Sequence, residues 1–128
     1  MRTNQLTGTA LDWAVSKALG FPVYVSKAGK LMTKNYGEFN HRHGAPWWNP
    51  STDWSQGGPI IGREWMEICR LNNGEWRGQW YEQATEKIHR EYGDTPLIAA
   101  MRCYVASKLG NKVEIPTELT QGETSCQT

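Results

Sequence analysis

The chain has 128 residues, a length that folds as one domain and buries roughly two-thirds of the surface its unfolded form exposes. Fourteen Lys and Arg against thirteen Asp and Glu leave a formal net charge of +1, so no global field draws the protein to a nucleic-acid polymer or an anionic membrane. No apolar run approaches the length of a membrane span and the N-terminus lacks the charged-then-apolar pattern of a signal peptide, so a soluble, cytoplasmic protein is expected.

In chain order, the first predicted element is a helix over 10–19. Thr9 stands as N-cap, Asp12 in the first turn and Gly20 just past the end. Leu11, Ala14, Val15 and Ala18 form its core stripe, while Trp13 projects beside Lys17 from nearly the opposite side, toward a second packing surface or a ligand. Residues 21–25 and 31–33 read as short strands joined by the turn Ser26 to Gly29. From Asn35 to Pro59 neither a helical nor a strand period is visible, and a loop of that length in a small domain is functional or disordered. Its aromatic content argues for folding onto something.

A second hairpin is predicted from 65–71 and 75–83 around Asn72-Asn73-Gly74, because Asn-Gly supplies the positive φ angles of a tight turn. Trp76, Gly78 and Trp80 share one face of its return strand, assigned to the core, and Arg77, Gln79 and Tyr81 share the other. The last helix opens at Thr95 with Pro96 in its first position and closes at Gly110. Leu97, Ile98, Met101, Tyr104 and Val105 fill one side and Ala99, Cys103 and Ala106 another. Such a helix lies either between the sheet and the first helix or against another subunit. Residues 117–128 lack apolar periodicity and read as a mobile polar tail after a single domain over 1–116. These elements make an α+β fold: a small antiparallel sheet of about three to five strands packed with an N-terminal and a C-terminal helix.

The segments LDWAV, STDWSQGGPII and TPLIAAMRCYVASKLG, with their spacing, resemble the phage NinX family over roughly residues 6–116. The family is similar, distantly, to the phage domain described as an alpha-beta-alpha sandwich. The resemblance implies that fold and an origin in tailed phages or prophages of enteric bacteria. No activity comes with it.

Chemistry must therefore be read from the central segment WWNPSTDWSQGGPIIGR, where three of the seven tryptophans surround an acid, hydroxyls and a Gly-Gly-Pro turn. Ser51 or Thr52 can cap a short helical turn at Asp53, and Pro59 can begin another, so that two sets of free amides face an anion. Gln56, Gly57 and Gly58 belong to the same loop, the glycines permitting close backbone approach. Trp47, Trp48 and Trp54 can stack a flat group, Asp53 can accept from a ribose hydroxyl, and Arg63 can neutralise an anion. Arg102, a cation on a largely apolar helix, calls for a carboxylate such as Asp53 or for an anionic ligand. The structural alternative is that STDW is a helix cap and the tryptophans close a core.

No cofactor, catalytic group or metal site is predicted. His41 and His43, with Asp53 or His89, would be the ligands if one existed. Cys69, Cys103 and Cys126 show neither a disulfide framework nor a zinc spacing, and the first two read as inert buried thiols. The expected function is a non-catalytic phage accessory protein that sequesters a small anionic aromatic ligand, a nucleotide or a nucleotide-derived host immune signal. A protein-binding inhibitor of a host enzyme, docking through the aromatic loop, is the alternative, and a small nucleotide-processing enzyme the third reading. A homodimer is expected from the tryptophan content and the two-sided last helix.

Overall fold

Three helices and two antiparallel sheets make up the residues that the computed structural model describes, 1–20, 22–33, 47–117 and 119, giving the α+β class read from the sequence. Helix α1 (Gly8–Leu19) starts two residues before its predicted position: Thr7 is the N-cap, its carbonyl accepts from the Leu11 amide at 3.2 Å, and its side chain makes no cap bond. Asp12 therefore sits in the second turn and is buried, not exposed at the helix N-terminus. The far end is as read: Gly20, at φ 84°, donates to Ser16 and Lys17 carbonyls.

Strands β1 (Val23–Val25) and β2 (Leu31–Thr33) pair antiparallel across the Ser26–Gly29 turn. Trp48 donates its amide to Leu31 O at 2.9 Å and Trp47 bridges Met32, so the chain re-enters along the free edge of this hairpin. Phe21, residues 34–46, Glu118 and the tail from Thr120 onward lie outside the described residues. So do His41, His43, Cys126 and most of the segment predicted to be a mobile tail.

The larger sheet has the order β3 (Glu67–Arg70), β4 (Trp76–Glu82), β5 (Lys87–Gly93). Gly74, at φ 90°, supplies the positive φ of the β3–β4 turn, while Asn73, expected to share it, does not and instead bonds Glu75 through its side chain. Strand β5 pairs with β4 along its whole length, yet the sequence gives it no signature. Its apolar residues Ile88 and Tyr92 point outward, while His89, Glu91 and Gly93 face the helix layer, so the usual alternation is inverted.

Helix α3 (Pro96–Leu109) has the Thr95 cap, with Oγ1 accepting from Ile98 N at 3.1 Å. It lies between the larger sheet and α1, and its small residues seat on the sheet's glycines. A Cβ on Gly78 would come 2.7 Å from Ala99 O, and one on Gly93 2.9 Å from Ala99 N, closer than real contacts allow. Both sides of α3 are thus filled within one chain, and Leu11, Ala14, Val15, Met101, Tyr104 and Val105 share the core. Leu11, Val15, Met101 and Val105 each contribute roughly 1.5–3 kcal/mol by leaving water.

The N-terminal residues, unread in the sequence, are tied to the segment after α3: Thr3 N bonds Asn111 O at 2.9 Å, Thr3 Oγ1 bonds Gly110 O at 2.6 Å, and Met1 and Val113 exchange backbone bonds. Arg102 belongs to this seam. Its Nε donates to Leu6 O at 2.9 Å and a terminal nitrogen to Tyr92 O at 2.7 Å, so the expected pairing with Asp53 gives way to a clamp on two carbonyls. Burial lowers its pKa, opposed by the charges of Asp94, Glu91 and Glu75.

Candidate functional site

The central segment resolves into a buried half and an exposed half. Trp48 is 2% exposed; its indole N–H donates to Asp12 O at 2.7 Å, fixing the ring between α1 and β2. Ser51 is equally buried, and its amide donates to Asp12 Oδ1 at 2.8 Å. Gln56, also interior, donates to Trp47 O at 2.6 Å and accepts from Asn49 N at 2.7 Å, holding the returning chain to the helix it precedes. Gly57 has no room for a side chain, since a Cβ would stand 2.5 Å from Pro50 O and 2.7 Å from Leu97 Cδ2. Four of the predicted ligand contacts are therefore spent on holding this segment in the fold.

Residues Trp54–Glu64 form one helix, α2, where the sequence predicts a loop holding two short helical turns; Pro59 lies inside it, losing one intrahelical bond. Asp53 is the N-cap, its Oδ1 accepting from Ser55 N at 2.9 Å and Ser55 Oγ at 2.7 Å. The Gln56 and Gly57 amides bond the Asp53 carbonyl. Between Trp47 and Glu64 there is one helix N-terminus in place of the two expected, and its first turn is already served by the Asp53 cap, which leaves little for an anion.

Thr52, Trp54 and Arg63 are at the surface, Gly58 partly so, and Arg63 Nε lies 3.7 Å from Glu64. Trp47 is 45% exposed with Lys30 Nζ 3.6 Å from its ring centroid. The cleft between Trp47 and Asp12 holds about 140 Å³, below the roughly 300–1,000 Å³ of small-molecule sites. Burial pushes the Asp12 carboxyl up to about 7, while the Ser51 amide and, more weakly, its hydroxyl favour the ionised form. The Ser51 hydroxyl itself meets no partner in full hydrogen-bond geometry.

A larger feature opens at the other end of α2. The helix closes through Met66 N to Ile61 O at 3.0 Å and Trp65 N to Gly62 O at 3.4 Å, the paired bonds of a Schellman motif, which puts Trp65 in the left-handed region at φ 56°. Glycine usually fills that position; here it carries the most exposed large hydrophobic side chain among the described residues, 88% open to solvent. From Trp65 a groove of about 540 Å³ runs along Gln79, Trp80 and Tyr81 of β4 to Gln83 in the turn that follows, with Glu64 and Glu67 on its wall. Trp80 stacks on His89 at 5.6 Å and lies under Lys108 at 4.8 Å, while Tyr81 is half exposed on the opposite face.

Both charged groups lining the groove are acids. Glu64 is balanced by Arg63 and by Lys108 Nζ at 3.6 Å, whereas among the described residues Glu67 accepts one long bond, 3.4 Å from Gln79 Nε2. At the groove's margin, hydrogen bonds from His89, at 2.9 Å, and from Thr85 hold Glu82 below the usual carboxylate range. The sequence reading assigned Trp65 to a strand and so missed this site. The legible signal was a tryptophan where a helix C-terminus calls for glycine.

Among the described residues no three His, Cys, Asp or Glu cluster in a way that could hold a metal ion. Cys103 donates to His89 O and burial drives its thiol up to about 12, the inert thiol expected; Cys69 is exposed, contrary to that expectation, because it stands opposite Arg77 on the outer face of the sheet while Ile68 turns to the core. No described helix is long and apolar enough to cross a membrane.

Fold and groove together define a small α+β domain that presents aromatic side chains at a sheet edge. The family model described as Bacteriophage P22, NinX matches residues 2–108, and the chain belongs to that family. No curated protein matches the chain.

Proposed function

We propose that this NinX-family phage protein acts as an accessory binding protein whose aromatic groove, from Trp65 along β4, docks a protein partner in the infected cell. The observation that carries the reading is Trp65. A bulky residue in the left-handed region costs on the order of 1 kcal/mol relative to glycine, and leaving its ring in water forgoes the burial that rewards most tryptophans. The Schellman bonds would form equally with glycine at this position, no described residue covers the ring, and strain of this kind gathers where a partner supplies the return. Tryptophan, tyrosine and arginine dominate interface hot spots, and Trp65, Tyr81 and Arg63 all lie at the surface around this groove.

A protein partner fits this surface better than the sequestered nucleotide expected from the sequence. The α2 amides are engaged, Trp48 is interior, and the groove of useful size is lined by carboxylates that repel phosphate. The reading requires no catalytic group. A photo-crosslinking residue placed at Gln83, used in infected cells, is expected to trap a defined protein, and Trp65→Ala is expected to remove that product without lowering the melting temperature. An undiminished product from Trp65→Ala would sink the reading. So would a melting-temperature rise with nucleotides that survives Trp65→Ala, which would restore the sequestration hypothesis.

A further inference from the structure

The groove coincides with a gap in the sheet. Strand β3 pairs with β4 only as far as Glu67 opposite Gln79, whereas β4 continues to Glu82 and stays paired with β5 on its other side. Beyond Glu67 the chain leaves the sheet, because Met66 and Trp65 turn back to close α2. The lane beside Trp80, Tyr81 and Glu82 therefore has no occupant among the described residues.

Register fixes what that lane presents. Leu71 N bonds Glu75 O at 2.8 Å, so Glu75 turns its backbone toward β3. By antiparallel alternation Arg77 and Gln79 do the same, and the next residue in the series is Tyr81. Its N–H and C=O point into that lane. Even-numbered residues of β4 face β5 and are not involved.

Resting on the groove as the docking site, we infer that the partner binds by strand addition: an extended segment carrying a lysine or arginine lies antiparallel to β4 and exchanges main-chain hydrogen bonds with Tyr81. Main-chain pairing supplies affinity and alternate side chains supply choice. The residue opposite Tyr81 points to the outer face, in line with Glu67, the carboxylate with spare acceptor capacity. Its alkyl stem and charge meet the exposed Tyr81 ring, an arrangement that recurs among the described residues with Lys17 on Trp13, Lys30 on Trp47 and Lys108 on Trp80 and Tyr104. A second copy of this chain fits less well, because β4 edges paired about Tyr81 would set Gln83 of each copy opposite Gln79 of the other, the place that Glu67 already holds.

Three synthetic octapeptides test this by calorimetric titration against the full chain: one alternating lysine with valine, its glutamate counterpart, and the lysine peptide N-methylated at alternate residues. The lysine peptide is expected to bind, the glutamate peptide to bind at least tenfold more weakly, and N-methylation to cost a similar factor. Tyr81→Pro removes the ring and the open-edge N–H, whereas Tyr81→Ala removes the ring and keeps that donor. Proline is expected to abolish binding where alanine reduces it, and Glu67→Gln to erase the preference for lysine.

Equal binding of the N-methylated peptide, or no difference between the lysine and glutamate peptides, overturns strand addition. So does a concentration-dependent dimer that Tyr81→Pro dissociates, which would assign the edge to a second copy. Failure of all three peptides alongside a retained Trp65-dependent crosslink at Gln83 also overturns it, while leaving the broader protein-binding reading intact. Should Tyr81→Pro not fold, the N-methylated peptide still decides.

Discussion

Trp48 and Trp65 lie at opposite ends of one stretch of chain and show what a tryptophan does under two sets of constraints. Trp48 is enclosed, with every polar need met: its amide joins β2 and its indole N–H joins α1. Trp65 sits on a strained backbone with its ring in solvent. Composition treats them alike. The surrounding backbone decides, because the residues around Trp48 bring β2 and α1 together, whereas Trp65 follows a helix end that must reverse direction.

Exchanging the two consequences is the strongest way to break this comparison. Trp48→Ala is expected to destabilise the fold by roughly 3–5 kcal/mol, from lost packing and an unfilled cavity, with the freed Asp12 carbonyl losing one donor. Trp65→Ala should leave stability almost unchanged and remove binding. Urea unfolding with the crosslinking assay checks both, and a stable Trp48→Ala protein would mean that the buried half of the motif is not structural.

Asp12 gives the next largest effect. Its pKa rises from 3.8 in the unfolded chain to about 7 in the native protein, so the native state keeps a proton that the unfolded state has lost. Its contribution is fully present below the unfolded value, is lost as pH rises through about 7, and is flat above; over that window the loss is at most roughly 4 kcal/mol. Asp12→Asn retains an acceptor for the Ser51 amide and is expected to remove this slope. Denaturation at pH 4, 5.5 and 8 checks it: parallel profiles for the two proteins would show that Asp12 does not titrate in this range.

Gly57 probes the same buried half more gently. A methyl group there meets Pro50 O, which is backbone, as well as the movable end of Leu97, so Gly57→Ala should cost roughly 1–3 kcal/mol. Gly58→Ala, one residue on, meets only Trp54 Cε3 at 3.9 Å and should be neutral or slightly stabilising through helix propensity. A pair of melting curves distinguishes them, and equal values would mean that the glycines serve flexibility rather than close approach.

Local chemistry was legible wherever one residue sets one backbone feature. Thr95, Pro96, Gly20 and Gly74 appear at the positions their φ preferences and cap bonds require, and the tryptophan face of β4 is the inner one. Strand β5 was hidden because its inward residues are polar or glycine, a pattern that makes sense only beneath the small residues of α3. Asp12 looked like a surface helix acid until Ser51 and Trp48, dozens of residues away, were brought onto it. The candidate site was misplaced for the same reason: STDWSQGGPII shows its hydroxyls and glycines plainly, but which of them face inward depends on long-range packing. Trp65 carried a local signal, yet a helix ending at Glu64 had first to be recognised through an internal proline.

The smallest expected effect sharpens the comparison most, since its sign matters more than its size. Trp65→Gly places the residue best suited to positive φ at the end of α2 and removes an exposed ring, so the protein should become more stable by roughly 0.5–1 kcal/mol. Greater freedom of glycine in the unfolded chain works against this, which keeps the net gain small. The same substitution removes the wall of the groove and should abolish the crosslink at Gln83. A gain in stability joined to a loss of binding is the signature of a residue kept for function at a structural cost. Were Trp65→Gly to destabilise the protein, the ring would be contributing to the fold after all, and its strain would no longer point to a partner.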